Sequence, residues 1–259
     1  MDRVLGFILN IGLLKDYGFR LVLGLQMTLT VVGLSCAMGF VLAFPICWLR
    51  MSRNMLLSYS AMGYTNLFRG TPLLCQLYLI YYGGGEFRPF FQETGIWWFF
   101  RDAYYCCILG FTLNTAAYQS EILRGAIQSI PKGQIEAARA LGLHRGAILR
   151  HIIFPQAMLV AVRPLGNEVI SVVKASAVAA VVTLLDLMGQ TRFIFARTFD
   201  FSIYLYCALI YLAITETISR LVNAGEHRLS AHIRARAPAD ARQESRSTTV
   251  HRSTEVTPA

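Results

Sequence analysis

The stretch LVLGLQMTLTVVGLSCAMGFVLAFPICWL, residues 21–49, contains 29 residues and no charged side chain. Arg20 and Arg50 bracket it. A bilayer core about 30 Å thick requires roughly 20 mostly apolar residues in one helix, so this stretch is long enough to cross a membrane. Pro45 lies near its end and is expected to kink the helix or to end it early. The stretch therefore predicts a membrane-spanning helix.

The composition extends this prediction to the whole chain. Of its 259 residues, 55% are hydrophobic and only 15% are charged. A soluble protein of this size needs a more charged exterior. Four further stretches are poor in charge, namely 55–83, 103–123, 156–185 and 201–222. We therefore predict an all-α polytopic membrane protein with about five spanning helices.

The distribution of lysine and arginine predicts the orientation of these helices. An odd number of spans places the two termini on opposite sides of the membrane. With the C-terminus inside, the inner segments carry 14 lysines and arginines and the outer segments carry 7. Positive residues accumulate on the cytoplasmic side, so a cytoplasmic C-terminus is predicted. The net charge of +9 is then explained by topology, and no nucleic-acid partner is expected.

This orientation divides the chain into three parts. Residues 1–20 form a periplasmic N-terminal segment, and residues 21–225 form the transmembrane domain. Residues 226–259 form a basic cytoplasmic tail that nearly lacks large apolar residues, which predicts disorder beyond an initial helical turn or two. The arginines of this tail are expected to contact anionic membrane lipid.

The longest inner loop, residues 125–155, carries its own pattern. Pro131 and Gly133 break the helix that leaves the membrane, and Gln134–Leu141 then predicts a helix of two turns. Gly142 stands where a left-handed cap would end that helix. A second short helix is predicted from near residue 145 toward residue 153, ahead of Pro155.

The first of these loop helices is too short to be stable alone and must dock on something. Ile135, Ala138 and Leu141 offer an apolar face that suits a groove on a partner. Glu136 and Arg139 can pair across one turn. An ordinary amphipathic connector on the membrane surface fits the same residues.

Charged and polar residues inside the predicted fourth span mark a solute pathway, because such residues usually face a partner or a water-filled cavity. Asn167, Ser171 and Lys174 share one stripe of the helix, and Glu168 lies about 100° around from Asn167. One hypothesis is that Glu168 attracts the cationic group of a solute. The alternative is an ion pair with Arg163 or Lys174, within this chain or across to a partner subunit.

Two other charged sites have simpler interpretations. Arg69 interrupts the second predicted span, and we favour burial against backbone carbonyls near Thr71 and Pro72 over binding of a carboxylate. Glu121 and Arg124 are one turn apart at the inner end of the third span, which predicts a local salt bridge.

The inner loop resembles a known motif. Glu136-Ala137-Ala138, Gly142 after three residues, Ile152 after nine more, and Pro155 are similar to the EAA loop of ABC-importer permease subunits, with Phe154 where leucine is usual. The resemblance identifies Glu136, Ala137, Ala138, Leu141, Gly142 and Pro155 as residues that couple the chain to an ATPase.

The resemblance extends from about residue 19 to residue 227 and points to the polar amino acid permeases. Its motifs are Phe68-Arg69-Gly70-Thr71-Pro72 with Gln76, Leu113-Asn114-Thr115-Ala116-Ala117-Tyr118 with Glu121, and Asn167-Glu168-Val169-Ile170 with Lys174. Asn167-Glu168 and Arg101-Asp102-Ala103-Tyr104 look most like the branch that carries histidine, arginine, lysine and opines. Ala175-Ser176-Ala177-Val178 departs from the hydroxyl-rich turn that the family has there.

The resemblance implies a bacterial inner-membrane permease subunit of an ATP-driven importer. Its expected partners are a second permease subunit, preferably an unlike one, a cytoplasmic ABC ATPase dimer and a periplasmic substrate-binding protein. The sequence has no GxxxxGK[ST] phosphate loop, so ATP is expected to be used by the partner ATPase and no cofactor by this chain. No catalytic or metal-ligating residues are predicted. The alternatives are a passive channel and, less favoured, a membrane-embedded enzyme.

Overall fold

The computed structural model describes the backbone of residues 11–234 and the side chains of residues 12–227. The predictions for residues 1–10 and 235–259, which include most of the basic tail, lie outside the described residues. The described part is α-helical and contains no strand. Its helices are α1 (Ile11–Arg50), α2 (Met55–Gly70), α3 (Leu73–Glu86), α4 (Arg88–Glu93), α5 (Trp97–Arg101), α6 (Ala103–Gln128), α7 (Lys132–Ala140), α8 (Arg145–Ile148), α9 (Phe154–Ala175), α10 (Leu187–Thr198) and α11 (Ser202–Arg234).

Helix α6 is the centre of the bundle. It packs against α1 along much of its length and also against α2, α3 and α9, while α11 packs on α9 and α10 packs on α1. One apolar cluster joins α1, α3, α6 and α9 through Val31, Leu77, Phe111 and Val173. Two smaller clusters lie on either side of it, one between α1, α10 and α11 and one between α1, α6 and α9.

Helix α1 is longer than the uncharged run that predicted it. It begins at Ile11 and ends at Arg50, with Pro45 inside the helix. Of the two effects expected of Pro45, an early end of the helix is therefore wrong, and a kink stays a prediction.

The second predicted span, residues 55–83, is two helices rather than one. Thr71 is extended, with φ −110° and ψ 146°, and separates α2 from α3. The reason is Pro72, because a proline disfavours the helical conformation in the residue before it and has no N–H to continue the ladder. The fourth predicted span also changes character, since α9 passes into a 3₁₀ helix, Ser176–Val182, before residue 185 is reached.

Three helical stretches in the described residues have the length and apolar composition needed to cross a membrane: Gly12–Arg50, Arg145–Val182 and Ser202–His227. Helix α6 is long enough, but it carries Asn114, Gln119 and Glu121 and is too polar to be counted with them. These polar residues are tolerated because α6 is enclosed by the other helices. The number of five spans stays a prediction.

Candidate functional site

The break between α2 and α3 is held by two side-chain amides. Pro72 has no N–H, so the Phe68 carbonyl has lost its helical donor. Gln76 Nε2 donates to that carbonyl oxygen at 2.9 Å, and Asn114 Nδ2 on α6 donates to it at 3.0 Å. Asn114 Nδ2 also lies 3.0 Å from Gln76 Oε1. The network fixes the break against α6 and satisfies a backbone group that lipid could not.

A pocket of about 360 Å³ opens between this break, α6 and α9. Its floor and walls combine apolar and polar residues, and it contains one carboxylate, that of Glu168. The lining residues are Thr71, Pro72, Leu73, Phe111, Asn114, Tyr118, Glu168, Ser171, Val172 and Ala175. A concave site with a few convergent polar groups is the usual form of a small-molecule site.

Glu168 is half-buried, and its carboxylate accepts a hydrogen bond from the Thr115 hydroxyl at 3.3 Å. Neither cation proposed as its partner forms an ion pair with it in the described residues. Arg163 Nε instead lies 2.9 Å from Glu226 Oε2 on α11. Lys174 is exposed and has no ion pair among the described residues. Arg69 also forms no ion pair with Glu168 in the described residues.

The predicted stripe of Asn167, Ser171 and Lys174 is divided by the structure. Ser171 lines the pocket of Glu168, three residues away on the same face. Asn167 instead lines a separate polar pocket of about 320 Å³ between α9 and α11, together with Arg163 and Asn223. At about 100° per residue, Ser171 lies between Asn167 and Glu168 around the helix, which is why its spacing grouped it with Asn167 although it lines the Glu168 pocket.

Arg69 is exposed, so the expectation that it is buried against carbonyls is wrong. Its guanidinium carbon lies 5.3 Å from the centre of the Tyr118 ring, a cation–π contact. The Tyr118 hydroxyl in turn lies 3.4 Å from the Arg69 carbonyl oxygen. Tyr118 lines the Glu168 pocket, and thus Arg69 stands beside that pocket.

The loop helix α7 ends as the glycine pattern predicts. Gly142 has φ +75°, in the left-handed region. Its N–H donates to the Arg139 carbonyl at 2.9 Å, and the Leu143 N–H donates to the Ala138 carbonyl at 3.1 Å. This pair of bonds is the Schellman motif, and the prediction of a left-handed cap is confirmed.

The faces of α7 differ from the prediction. Ala138 is buried in this chain, with 3% of its surface exposed, and Ile135 is half-buried. Leu141 is 81% exposed, and Glu136 and Ala137 are exposed too. The prediction of a single docking face formed by Ile135, Ala138 and Leu141 is therefore wrong. The residues of this segment that are exposed and available to a partner include Glu136, Ala137 and Leu141. The described residues also contain no ion pair between Glu136 and Arg139.

The second loop helix is continuous with α9 instead of stopping before Pro155. After α8, residues Leu149–Ile153 form one π-helical turn, and α9 begins at Phe154 with Pro155 in its first turn. The wider turn is the natural way to accept a proline, which has no N–H and crowds the preceding turn of an α-helix. The Gln156 amide donates to Gln134 Oε1 at 2.8 Å, which ties α9 to the start of α7.

Glu121 connects the C-terminal end of α1 to α6. Its salt bridge with Arg124, at 2.7 Å, confirms the prediction. Arg50 Nε lies 2.8 Å from the other carboxylate oxygen, a contact that the sequence reasoning missed. The sequence did contain a signal for this contact. Arg50 directly follows the uncharged run, and Glu121 lies near the end of the third predicted span, so the two residues are expected at a similar membrane depth.

Comparison with protein families gives a match over most of the chain. Residues 15–231 match the family model described as binding-protein-dependent transport system inner membrane component. The chain is 42% identical to the nopaline transport system permease protein NocM of Agrobacterium fabrum over 218 residues, 84% of this chain and 90% of that protein. It is 34% identical to the arginine ABC transporter permease protein ArtM of Haemophilus influenzae, over 84% of this chain and 95% of that protein.

A solved structure shares the fold. It is described as the crystal structure of an amino acid ABC transporter with histidines, and the similarity has a TM-score of 0.74 at 34% sequence identity. The match covers 83% of this chain and 96% of that chain.

Proposed function

The chain belongs to the family of binding-protein-dependent transport system inner membrane components and is the permease subunit of an ABC importer, and we propose that its cargo is a basic amino acid or an opine. The importer would carry this cargo from the periplasm to the cytoplasm. The observation that best supports this proposal is the Glu168 pocket, which contains a carboxylate without an ion-pair partner among the described residues. The names of the relatives, nopaline and arginine permeases, support the same class of solute.

The chemistry of the pocket suits a cationic and polar solute. A carboxylate in weakly hydrated surroundings attracts an ammonium or guanidinium group more strongly than it would in water. Ser171 and Asn114 line the same pocket. The Ser171 hydroxyl donates to the Asn167 carbonyl and Asn114 Nδ2 donates at the helix break, so Ser171 Oγ and Asn114 Oδ1 can accept hydrogen bonds from a polar solute. In the turn that departs from the family pattern, Ala175 lines the pocket, whereas Ser176 is buried and donates to the Val173 carbonyl, so the Ser176 hydroxyl has no proposed role in solute contact.

The test of the cargo assignment is uptake of labelled arginine, histidine and nopaline by cells that carry the complete importer with Glu168→Gln. The amide keeps the size of the side chain and removes its charge. We expect uptake of basic solutes to fall about tenfold, since a hydrogen bond to a charged group contributes about 1.5–3 kcal/mol.

The matched control is Glu216→Gln, which removes an exposed carboxylate that pairs only with Arg220 one turn away in the described part of the chain. This control should leave uptake unchanged. Unaltered uptake and selectivity in a well-expressed Glu168→Gln importer would disprove the role of Glu168.

Permeases of this family work with an ATPase and a substrate-binding protein. We propose that α7 is the element that contacts the ATPase, with Glu136, Ala137 and Leu141 presented outward, Ala138 anchoring the helix to its own chain and Gly142 ending it. Pro155 and the π-helical turn would join α7 to α9, which carries Glu168. ATP would be bound and hydrolysed by the partner, so that no cofactor is needed on this chain.

We also propose that the second permease subunit is an unlike chain. In the described part of the chain only three helices are strongly apolar, which is few to enclose a pathway and supports a second subunit. That this subunit is an unlike chain follows the family resemblance of the sequence. Purification of a tagged copy of this chain from native membranes tests the proposal. An untagged second permease together with an ATPase would support it, whereas recovery of tagged and untagged copies of this chain as the only permeases would contradict it.

A further inference from the structure

A groove separate from the Glu168 pocket opens at the inner end of the bundle. It has a volume of about 590 Å³ and lies between the end of α1, the end of α6 and the segment that begins at α8. Apart from Ser52, Arg53 and Arg145, every residue that lines it is apolar. A space of this size and character suits a small or elongated apolar ligand.

The wall of the groove is open and its base is closed. Trp48 is 69% exposed and Phe154 is 46% exposed, whereas Cys47 and Ala157 at the base are buried. The Phe44 and Phe154 rings face each other across it at 6.4 Å between centroids. An acyl chain lying in the groove would cover these aromatic surfaces, which otherwise remain exposed next to the lipid-facing side of α1.

The charges at the groove are unbalanced. Arg50, one turn before the groove's rim, forms an ion pair with Glu121, which it shares with Arg124. Arg53 and Arg145 are exposed, and neither has an ion pair in the described part of the chain. A phospholipid matches this arrangement in two ways. Its phosphate can pair with the two guanidinium groups, and its acyl chain can lie in the apolar groove beside them.

We propose that this groove binds one anionic phospholipid of the inner leaflet, with its phosphate between Arg53 and Arg145 and an acyl chain along Trp48, Phe154 and Met158. The proposal rests on the proposed function, because contact of α7 with a cytoplasmic ATPase would place this end of the bundle on the cytoplasmic side. Anionic lipids of the cytoplasmic leaflet attract arginine near the membrane surface. The bound lipid would connect the end of α1 to the π-helical turn before α9.

The experiment uses the complete importer in phosphatidylcholine nanodiscs that contain a photoreactive lipid with a diazirine on its acyl chain. Phosphatidylglycerol and phosphatidylcholine versions of that lipid are compared, and adducts are mapped by mass spectrometry. We expect adducts on peptides that cover residues 44–53 and 145–158, with a preference of about tenfold for phosphatidylglycerol.

Removal of charge separates the headgroup contact from general lipid contact. Arg53→Gln combined with Arg145→Gln should abolish the preference, and each single substitution should reduce it in part. Arg150→Gln is the matched control, because Arg150 is exposed close to Arg145 in sequence but does not line the groove, and it should keep the full preference. All three arginines are exposed, so folding is not expected to suffer.

Equal labelling by the two lipids, or a preference that survives the double substitution, would overturn the lipid site. Protection of residues 44–53 by a protein subunit, with no lipid adduct, would overturn it as well. Binding-protein-stimulated ATP hydrolysis in the same nanodiscs reports on the proposed function independently. Intact hydrolysis without a lipid preference rejects the lipid site alone, whereas lost hydrolysis with a retained preference counts against the proposed function alone.

Discussion

Gly142 ends α7 in a conformation that other residues reach only with strain. A left-handed backbone costs an L-residue roughly 1–2 kcal/mol, and the Schellman bonds to Arg139 and Ala138 depend on it. We predict that Gly142→Ala lowers binding-protein-stimulated ATP hydrolysis by the assembled importer by about threefold to tenfold, because the end of α7, the proposed contact with the ATPase, will fray. The measurement is stimulated hydrolysis in proteoliposomes.

Gly133→Ala is the matched control for this prediction. Gly133 lies in the same helix, has no positive φ and has no atom within 4 Å of the position that a Cβ would occupy, so alanine fits there. Alanine should even favour the helix by up to about 1 kcal/mol. Equal stimulated ATP hydrolysis by the Gly142→Ala and Gly133→Ala importers would show that the cap has no part in coupling the ATPase to the permease.

At the scale of single residues, the sequence predicts the backbone conformation better than it predicts which side chains are exposed. The cap at Gly142 follows from a local rule, and the structure confirms it. The exposure of Leu141 and the burial of Ala138 depend on how α7 packs on the rest of the chain. The same holds for Asn167 and Ser171, which lie near each other on α9 but open to different pockets because α6 and α11 cover different faces.

The contact between α1 and α10 shows how closely two elements of this bundle approach. A Cβ on Gly24 would lie 2.9 Å from the Asp186 carbonyl oxygen and 2.9 Å from the Leu187 Cα. One turn further, the Thr28 hydroxyl accepts a hydrogen bond from the Leu187 N–H at 3.0 Å. Glycine thus permits the approach on which that hydrogen bond depends, as small residues commonly do between membrane helices.

We therefore predict that Gly24→Ala lowers the stability of the folded chain by about 1–3 kcal/mol, since the atoms it meets are backbone atoms that cannot move aside cheaply. Thermal unfolding of the purified importer in detergent measures this. Gly33→Ala, in the same helix and with no atom within 4 Å of its Cβ, should be neutral or slightly stabilising. A Gly24→Ala importer as stable as the Gly33→Ala importer would refute the close-contact argument.

Among the elements, the uncharged run predicts the existence of α1 but not its length. In the described residues α1 extends ten residues before the run. These ten residues include Lys15, Asp16 and Arg20, so a search for uncharged residues leaves them out although they are helical. The break at Thr71 was marked by Pro72 in the sequence, yet an apolar average over residues 55–83 conceals it. Hydropathy is an average over many residues and predicts whether a segment lies in lipid. A helix end depends on single residues, such as a proline that lacks the N–H needed for the next hydrogen bond.

At the scale of the whole molecule, the described residues bury polar side chains beside the apolar clusters and also expose large apolar side chains. Thr28, Ser35 and Thr115 are fully buried, while Val41 and Trp48 on α1 are both 69% exposed. An exterior with so many large apolar side chains is unlike that of a soluble protein and suits lipid as the solvent. It also explains why hydropathy identifies the outer helices more easily than the central α6. The motifs in their order predicted the family, whereas the pocket around Glu168 required the three-dimensional contacts of α3, α6 and α9.

The orientation of the whole chain is the last prediction. An inner side with twice the lysine and arginine of the outer side places α7 and the end of α11 in the cytoplasm and the α4–α5 segment in the periplasm. Glu93 and His227 are exposed on these opposite sides and accept cysteine without loss of packing. Among the described cysteines only Cys75 is exposed, so Cys75→Ser provides the background.

In that background, a membrane-impermeant maleimide added to spheroplasts should label the chain with Glu93→Cys and not the chain with His227→Cys. Inverted membrane vesicles should reverse the result, and permeabilised membranes, as the control, should allow both to react. Labelling of His227→Cys in intact spheroplasts would reverse the orientation. It would also place α7 away from any cytoplasmic ATPase and Arg53 and Arg145 away from the inner leaflet, so coupling and lipid binding depend on this outcome together.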